Sequence, residues 1–316
     1  MKKTLIALAT LAAAGAAFAQ SSVTLYGVAD IGLQDTNAPG SKLQLNSSAT
    51  MNNGNSRWGI RGTEDLGGGL KAGFNFEAGL SLDDGKTGQS GGGGNYFSRA
   101  AYMTLAGGFG ELSLGRRLNP AYYTAEAWAL TGYANYLAGF SQFGAAVRGF
   151  RYSDMIMYTS PSFSGLTVQF GHVLKGDAGV GAINDLSLRY AQGPLSVAFD
   201  YNKQSNVPGS NKHLGASYDF GGFKLAGAWA DPAGVAKGFV IGGTVKLGTV
   251  SLLAEFARDT NADDTDFLLE AKYPLSKRTF AYAAYLQDGK KKNGAFNAAT
   301  VGKNVNGFGL GIRHNF

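Results

Sequence analysis

Gly88-Gln89-Ser90-Gly91-Gly92 has the G-x-S-x-G spacing of a hydrolase nucleophile elbow. That elbow needs a strand before the serine and a helix after it. Here the segment lies in a glycine-rich stretch and reads as a surface loop, and the run Gly91–Gly94 is loop as well. Asp259, Asn261, Asp263 and Glu270 fall at positions 1, 3, 5 and 12 of a calcium loop. Position 6 should be Gly and is Asp264, and a strand pattern begins by Asp266, so the stretch reads as an acidic loop tip with weak divalent binding left open. The three histidines, His172, His213 and His314, are far apart and differ in facing, which argues against a histidine metal site. The chain has no cysteine, so thiolate nucleophiles, thiolate metal sites and disulfides are excluded. No metal or cofactor is expected, and no enzyme chemistry.

A second set of residues does electrostatics rather than bond chemistry. Arg57 and Arg61 lie on one parity of a single alternating segment, and Lys71 and Glu77 lie on the polar parity of the next. Arg116 and Arg117 end a further alternating segment, so one of them must point inward. The facing of Arg99, Arg148 and Arg151 is open. After Arg117 comes a long connection, Asn119–Val147, with Tyr122, Tyr123, Trp128, Tyr133 and Tyr136 but a single acid, Glu126. Arginines that face few carboxylates favour anions. The competing reading pairs those arginines with Glu77 and Glu111 and leaves little selectivity.

The elements that position this set are strands. From Val23, the residues Leu25, Gly27, Ala29, Ile31 and Leu33 share one parity, against Thr24, Tyr26, Asp30 and Gln34 on the other. Period-two alternation marks a strand with one apolar face. It recurs along the whole chain, as in Leu70–Glu77, Leu195–Tyr201, Val250–Phe256 and Phe308–Arg313. Helical periodicity is nearly absent outside Pro120–Leu137. Glycine is 48 of 316 residues, about twice ordinary usage. Thirty-eight aromatics exclude a disordered chain. The net charge of +6 carries no helix, finger or aromatic-basic groove pattern, so nucleic acid is not expected.

Seven short and eight longer connections alternate, which gives sixteen strands. A soluble sandwich alternates too, but it has no reason to collect its long loops at one end. An outer-membrane barrel does, with short turns at the periplasm and long loops outside. Asp30, Arg61, Lys71, Glu77, Asp185, Arg189, Glu255, Lys272 and Arg313 all fall on the polar parity, while Glu64, Lys212 and His314 break parity only at strand ends. A Lys or Arg facing lipid at mid-strand would cost about 2–4 kcal/mol. Tyr158, Tyr190, Tyr218, Tyr273 and Phe316 mark girdle positions at strand ends. The fold class is therefore all-β, a sixteen-stranded antiparallel transmembrane β-barrel. Lys2 and Lys3, the apolar run Leu5–Phe18 and the small-x-small box Ala17-Phe18-Ala19 read as a cleaved signal peptide over 1–19, with the barrel domain over 20–316.

Six segments carry a resemblance. They are SSVTLYGVADIGL (Ser21–Leu33), SRWGIRGTEDLGGGLKAGFNFE (Ser56–Glu77), AYMTLAGGFGELSLGR (Ala101–Arg116), YTSPSFSGL (Tyr158–Leu166), YPLSKRT (Tyr273–Thr279) and GFGLGIRHNF (Gly307–Phe316). In this order the chain resembles the Gram-negative general diffusion porins, most closely the branch common in beta-proteobacteria. The resemblance implies a homotrimer, a third loop folded into the barrel and a terminal Phe316 read by the barrel assembly machinery. It implies an outer-membrane location among membrane lipid and lipopolysaccharide, and passive diffusion of ions and small hydrophilic solutes. With the arginines, a weak anion preference is expected. The candidate constriction set is Arg57, Arg61, Lys71, Glu77, Arg116, Arg117, Tyr122, Tyr123, Glu126 and Tyr133. Two alternatives stand beside it: a channel selective for sugars or aromatic acids, with Tyr122–Tyr136 as a stacking track, and a barrel-anchored adhesin or lipid enzyme.

Overall fold

A computed structural model describes residues 22–87, 95–144, 147, 149–176, 181–289 and 304–316. The leader over 1–19, the Gly88–Gly92 motif, Gly91–Gly94 and Arg148 lie outside the described residues. The strands are β1 (Ser22–Thr36), β2 (Gln44–Asn46), β3 (Arg57–Gly67), β4 (Leu70–Gly79), β5 (Ala100–Gly107), β6 (Gly110–Leu118), β7 (Arg151–Thr159), β8 (Leu166–Val173) and β9 (Ile183–Gln192). They continue as β10 (Leu195–Gln204), β11 (Asn211–Asp219), β12 (Phe223–Asp231), β13 (Gly238–Leu247), β14 (Val250–Asp259), β15 (Asp264–Pro274), β16 (Thr279–Asp288) and β17 (Val305–Asn315). β2 is a three-residue strand inside the first long connection, paired to Gly32–Gln34 of β1.

The other sixteen strands form one closed antiparallel ring. Each of β3 to β17 pairs with its neighbour in sequence, and β1 pairs with β3 on one edge and with β17 on the other. At the seam Val28 faces Asn315 and Thr36 faces Gly307. Phe316 extends the seam through two backbone hydrogen bonds with Gly27, at 2.9 and 3.0 Å. Closure leaves no unpaired edge, which a bilayer requires of any spanning sheet. β1 is 15 residues long and the remaining wall strands run 8 to 11, close to the 9–11 residues of a tilted spanning strand.

The apolar parity points outward. Leu25, Met103, Leu114, Leu188, Ile241 and Leu310 are all exposed on the outer surface. The polar parity points into the bore, where Asp30, Asp185, Asp200, Glu255, Asp266 and Glu270 are buried. The buried apolar cluster does not fill the barrel. It is built from the connection after β6 (Trp128, Tyr136, Leu137, Phe140, Phe143) packed on one stretch of inner wall (Val240, Leu253, Leu268, Leu286). One connection differs from its expected length, since Asp259 ends β14 and Asp264 begins β15 in direct register. Asp259 makes this turn short by accepting backbone N–H bonds from Asn261 and Ala262.

Candidate functional site: the pore constriction

The connection between β6 and β7 enters the bore because its neck and both of its helices are tied to inward-facing side chains. At the neck, Asn119 exchanges bonds with Phe150, backbone to backbone at 3.0 Å and Oδ1 to the Phe150 N–H at 2.8 Å. The Asn119 amide also donates to Asp185 on β9. Helix α1 (Pro120–Thr124) begins with proline, whose fixed φ suits the first helical position. Thr124 Oγ1 donates to Ser187 Oγ at 2.9 Å. After a short 3-10 turn, Trp128 packs against the wall at Gly215. A Cβ there would stand 2.1 Å from the indole, so only glycine admits the ring. Helix α2 (Ala138–Phe143) rests on the far wall, where the Gly139 N–H donates to Glu255 Oε1 at 3.1 Å and Ser141 Oγ to Asp288 at 3.2 Å. Between the helices, Tyr136 hydrogen-bonds Glu270, and Lys272 Nζ donates to the Thr131 carbonyl at 2.7 Å.

The first long connection also folds inward and clamps the third. Asn135 donates through Nδ2 to the Ala49 carbonyl and to Asn55 Oδ1, both at 2.9 Å, and its N–H reaches the Asn52 carbonyl. Asn53 Nδ2 donates to Tyr136 at 2.8 Å, and Asn52 Nδ2 to Asp30 at 3.0 Å.

Opposite this inner loop stands a group of arginines. A polar recess is lined by Arg57, Arg99, Arg151 and Arg313 on the wall side and by Tyr122, Tyr133, Asn135 and Phe140 on the loop side. Glu77 is the carboxylate among them, 2.7 Å from Arg99 Nε and 3.6 Å from Arg57 Nε. Arg57 Nη1 donates to the Asn55 carbonyl at 2.9 Å, Arg151 Nε to the Arg99 carbonyl at 2.9 Å and Arg313 Nη1 to Asn53 Oδ1 at 3.0 Å. The Tyr122 and Tyr133 rings stack at 4.4 Å, and the Tyr133 hydroxyl donates to the Tyr122 carbonyl at 2.6 Å. Burial holds both phenols above the ordinary tyrosine range, helped at Tyr133 by the Glu126 charge and opposed at Tyr122 by Arg57 and Arg151, so they stay neutral near pH 7.

The expected residues do not all meet at one place. Arg57, Glu77, Tyr122 and Tyr133 meet at the constriction. Arg61 faces the bore four residues further along β3, over the Tyr26 ring at 5.0 Å, and Lys71 lies beside the short β3–β4 turn. Glu126 pairs with Arg189 on the loop's other flank. Arg117 points inward but is buried, held by Tyr123 at 3.1 Å and lying over the Tyr102 ring at 4.6 Å. Arg116 is a correction. Its cross-strand partner Ala101 lies on the outer face with Met103, and its guanidinium reaches Ser153 at 3.0 Å away from the bore. The bulge between Gly115 and Arg117 opposite β7 disturbs the local register, and a Cβ at Gly115 would stand 2.4 Å from the Ala101 carbonyl.

Arg99 and Arg151, of open facing in the sequence, join Arg57, and Arg313 joins them from the last strand. Trp128 and Tyr136 are buried within the loop and Tyr123 is turned to Arg117, so of the expected aromatic track Tyr122 and Tyr133 line the recess. The calcium spacing does not converge. Asp263 pairs with Arg258, Glu270 holds Tyr136, and among the described residues no group of three or more acidic or histidine side chains is arranged to hold a metal.

A closed sixteen-stranded ring with a loop folded into its bore and a charged narrows defines a porin-type membrane barrel. The sequence matches the family model described as Gram-negative porin over residues 4–294, and the chain belongs to that family. It is 34% identical over 361 aligned positions to outer membrane porin protein 32 of Delftia acidovorans, with both chains fully covered. It is 33% identical over 400 positions to an outer membrane porin protein of Bordetella pertussis, again over the whole of both chains. Among solved structures, an anion-selective porin from Comamonas acidovorans superposes with a TM-score of 0.77 at 31% identity, covering 94% of this chain and 100% of that one. The protein is an outer-membrane porin of a Gram-negative bacterium.

Proposed function

We propose that the barrel is a general diffusion channel for small hydrophilic solutes with a weak preference for anions. The observation that carries this reading is the charge balance at the narrows: Arg57, Arg99, Arg151 and Arg313 line the recess, and among the described residues Glu77 is the carboxylate ion-paired with them. A ring of fixed cations in a narrow bore raises the local anion concentration and repels cations. The solved anion-selective relative supports the same sign. Residues 1–19 act as the cleaved leader, three copies assemble side by side, and Phe316 serves as the signal that assembly machinery reads at the end of the last strand. No step of bond-breaking chemistry is assigned to the chain. Single-channel recording of the mature protein in planar bilayers under asymmetric salt tests the reading. An open channel whose current reverses on the anion side is expected. A non-conducting barrel would end it.

A further inference from the structure

Between the narrows and the short turns, the inner wall of β1 and β3–β6 holds a second polar recess, of about 260 Å³. Cross-strand register puts Thr24, Arg61, Asn75 and Tyr102 in one row across β1, β3, β4 and β5. Glu111 lies two inward rows lower, at the start of β6 and opposite Ala106. The row between them contains Gly73, where a Cβ would stand 2.6 Å from Thr104 Oγ1, so the wall stays bare there and the recess stays open.

Two opposite charges border this recess with hydrogen-bonding capacity to spare. Arg61 lies over the Tyr26 ring at 5.0 Å and, among the described residues, makes no hydrogen bond or ion pair. That separates it from Arg57, Arg99, Arg151 and Arg313, each of which is anchored through at least one donor. Glu111 has Arg117 as its charged neighbour, at 3.6 Å, which is too long for a hydrogen bond. Arg117 directs its donors elsewhere, Nη1 to Ser113 Oγ and Nη2 to the Tyr123 hydroxyl. Lys71 shares a row with Glu111 but does not line the recess. Near Arg61, Asn75 Oδ1 accepts from Tyr26 at 2.8 Å and Nδ2 donates to Tyr102 at 3.4 Å. One amide hydrogen of Asn75 and the Tyr102 hydroxyl hydrogen are left for a guest.

We propose that this recess is a subsite for short zwitterionic peptides of dipeptide size, with the carboxylate on Arg61, the ammonium on Glu111 and the peptide carbonyl on Asn75 and Tyr102. The proposal deepens the channel reading above and rests on it. A simple anion in the recess would stand beside Glu111, and a simple cation beside Arg61. A guest carrying both charges leaves neither unpaired. Arg61 and Glu111 stand three strands apart, roughly 14 Å of wall at ordinary strand spacing. A dipeptide, about 7 Å long when extended, suits the gap left once both side chains reach inward. A solvent-exposed ion pair raises affinity by up to about fivefold. The subsite is therefore weak, as a channel that must release its solute requires.

The test is single-channel recording of the full mature protein in planar bilayers, with peptide added on the short-turn side. The probes are alanyl-alanine, its N-acetylated form, which is an anion, and its C-terminal amide, which is a cation. In the wild type, alanyl-alanine should reach half-block at a concentration about threefold below that of either blocked form. A bore that merely draws anions would favour the acetylated peptide instead. Arg61→Gln and Glu111→Gln should each raise the half-blocking concentration of alanyl-alanine about threefold, and Glu111→Gln should not weaken block by the acetylated peptide. Equal or stronger block by the acetylated peptide in the wild type, or no change for alanyl-alanine in either variant, would overturn the proposal. If a variant fails to form channels, the three probes on the wild type decide. A barrel that conducts nothing before peptide is added would end the channel reading and this subsite together. Normal conductance with equal block by all three probes would end the subsite alone.

Discussion

The two walls of the bore carry opposite charges and spend them differently. On β9 and β14–β16 the carboxylates Asp185, Glu255, Glu270 and Asp288 are buried, and each takes a hydrogen bond from the inner loop. On β3, β7 and β17, and just before β5, Arg57, Arg151, Arg313 and Arg99 border the recess, and Glu77 is ion-paired with Arg57 and Arg99. Each kind of group is suited to its wall. A carboxylate accepts from backbone N–H groups and hydroxyls, which a loop docking against a wall offers in number. A guanidinium keeps its charge at every physiological pH and has donors left over after one anchoring bond. The carboxylate wall therefore sets where the loop sits, and the arginine wall sets which sign of ion passes. A charge count over the whole bore would miss this, because a carboxylate covered by the loop acts on its donors more than on passing ions.

The division can be broken by variants that damage one wall and spare the other. The largest expected effect is on loop position. Trp128→Ala removes a buried indole and costs about 3–5 kcal/mol of local packing. Open-channel current should become noisy and conductance should rise, and a quiet channel of normal conductance would show that the ring is not what holds the loop. Glu255→Ala leaves the Gly139 N–H without its acceptor, a loss of about 1–3 kcal/mol. It should raise current noise while leaving the sign of the reversal potential unchanged.

On the arginine wall the order reverses. Arg313→Ser should lower the anion-to-cation permeability ratio by about two- to threefold with no added noise. Arg61→Ser, further from the narrows, should shift it less, and Arg116→Ser should not shift it at all. An Arg116→Ser shift as large as that of Arg313→Ser would place the selectivity site elsewhere. The smallest effect concerns pH. Deprotonating Tyr122 or Tyr133 would add negative charge and reduce anion preference as pH rises through the folded pKa. Burial raises both phenols, so the reversal potential should stay flat between about pH 7 and 9.

The barrel was legible because its solvent is inverted. Lipid outside and water inside force strict alternation, so Leu195, Val197, Phe199 and Tyr201 declare a strand and its facing without any partner strand in view. Chain order also located the inner loop. What local pattern could not give is convergence. Arg57 and Arg313 are more than 250 residues apart and meet only because β1 pairs with both β3 and β17. Arg116 shares the outward parity of Leu112 and Leu114, in a register to β5 that the bulge on the β7 side does not disturb, and Arg117 takes the inward one. The anchoring roles of Asp185 and Glu255 were hidden for a different reason. On the strand they look like any bore-facing acid, and their partners belong to a loop that has no period of its own. Arg258 and Lys203 belong with the parity-breaking charges: Arg258 continues the outward parity of Leu252, Ala254 and Phe256 at the end of β14, and Lys203 that of Phe199 and Tyr201 at the end of β10.

The claim on which the rest depends is that the arginines border the open recess and act on ions there, while the carboxylates opposite are taken up by the loop. Reversal potential in a potassium chloride gradient, measured on the wild type and on a variant combining Arg57→Ser with Arg313→Ser, tests it most directly. The account predicts a chloride-side potential for the wild type that moves toward the potassium side in the variant. A potassium-side potential in the wild type, or no movement in the variant, would contradict it.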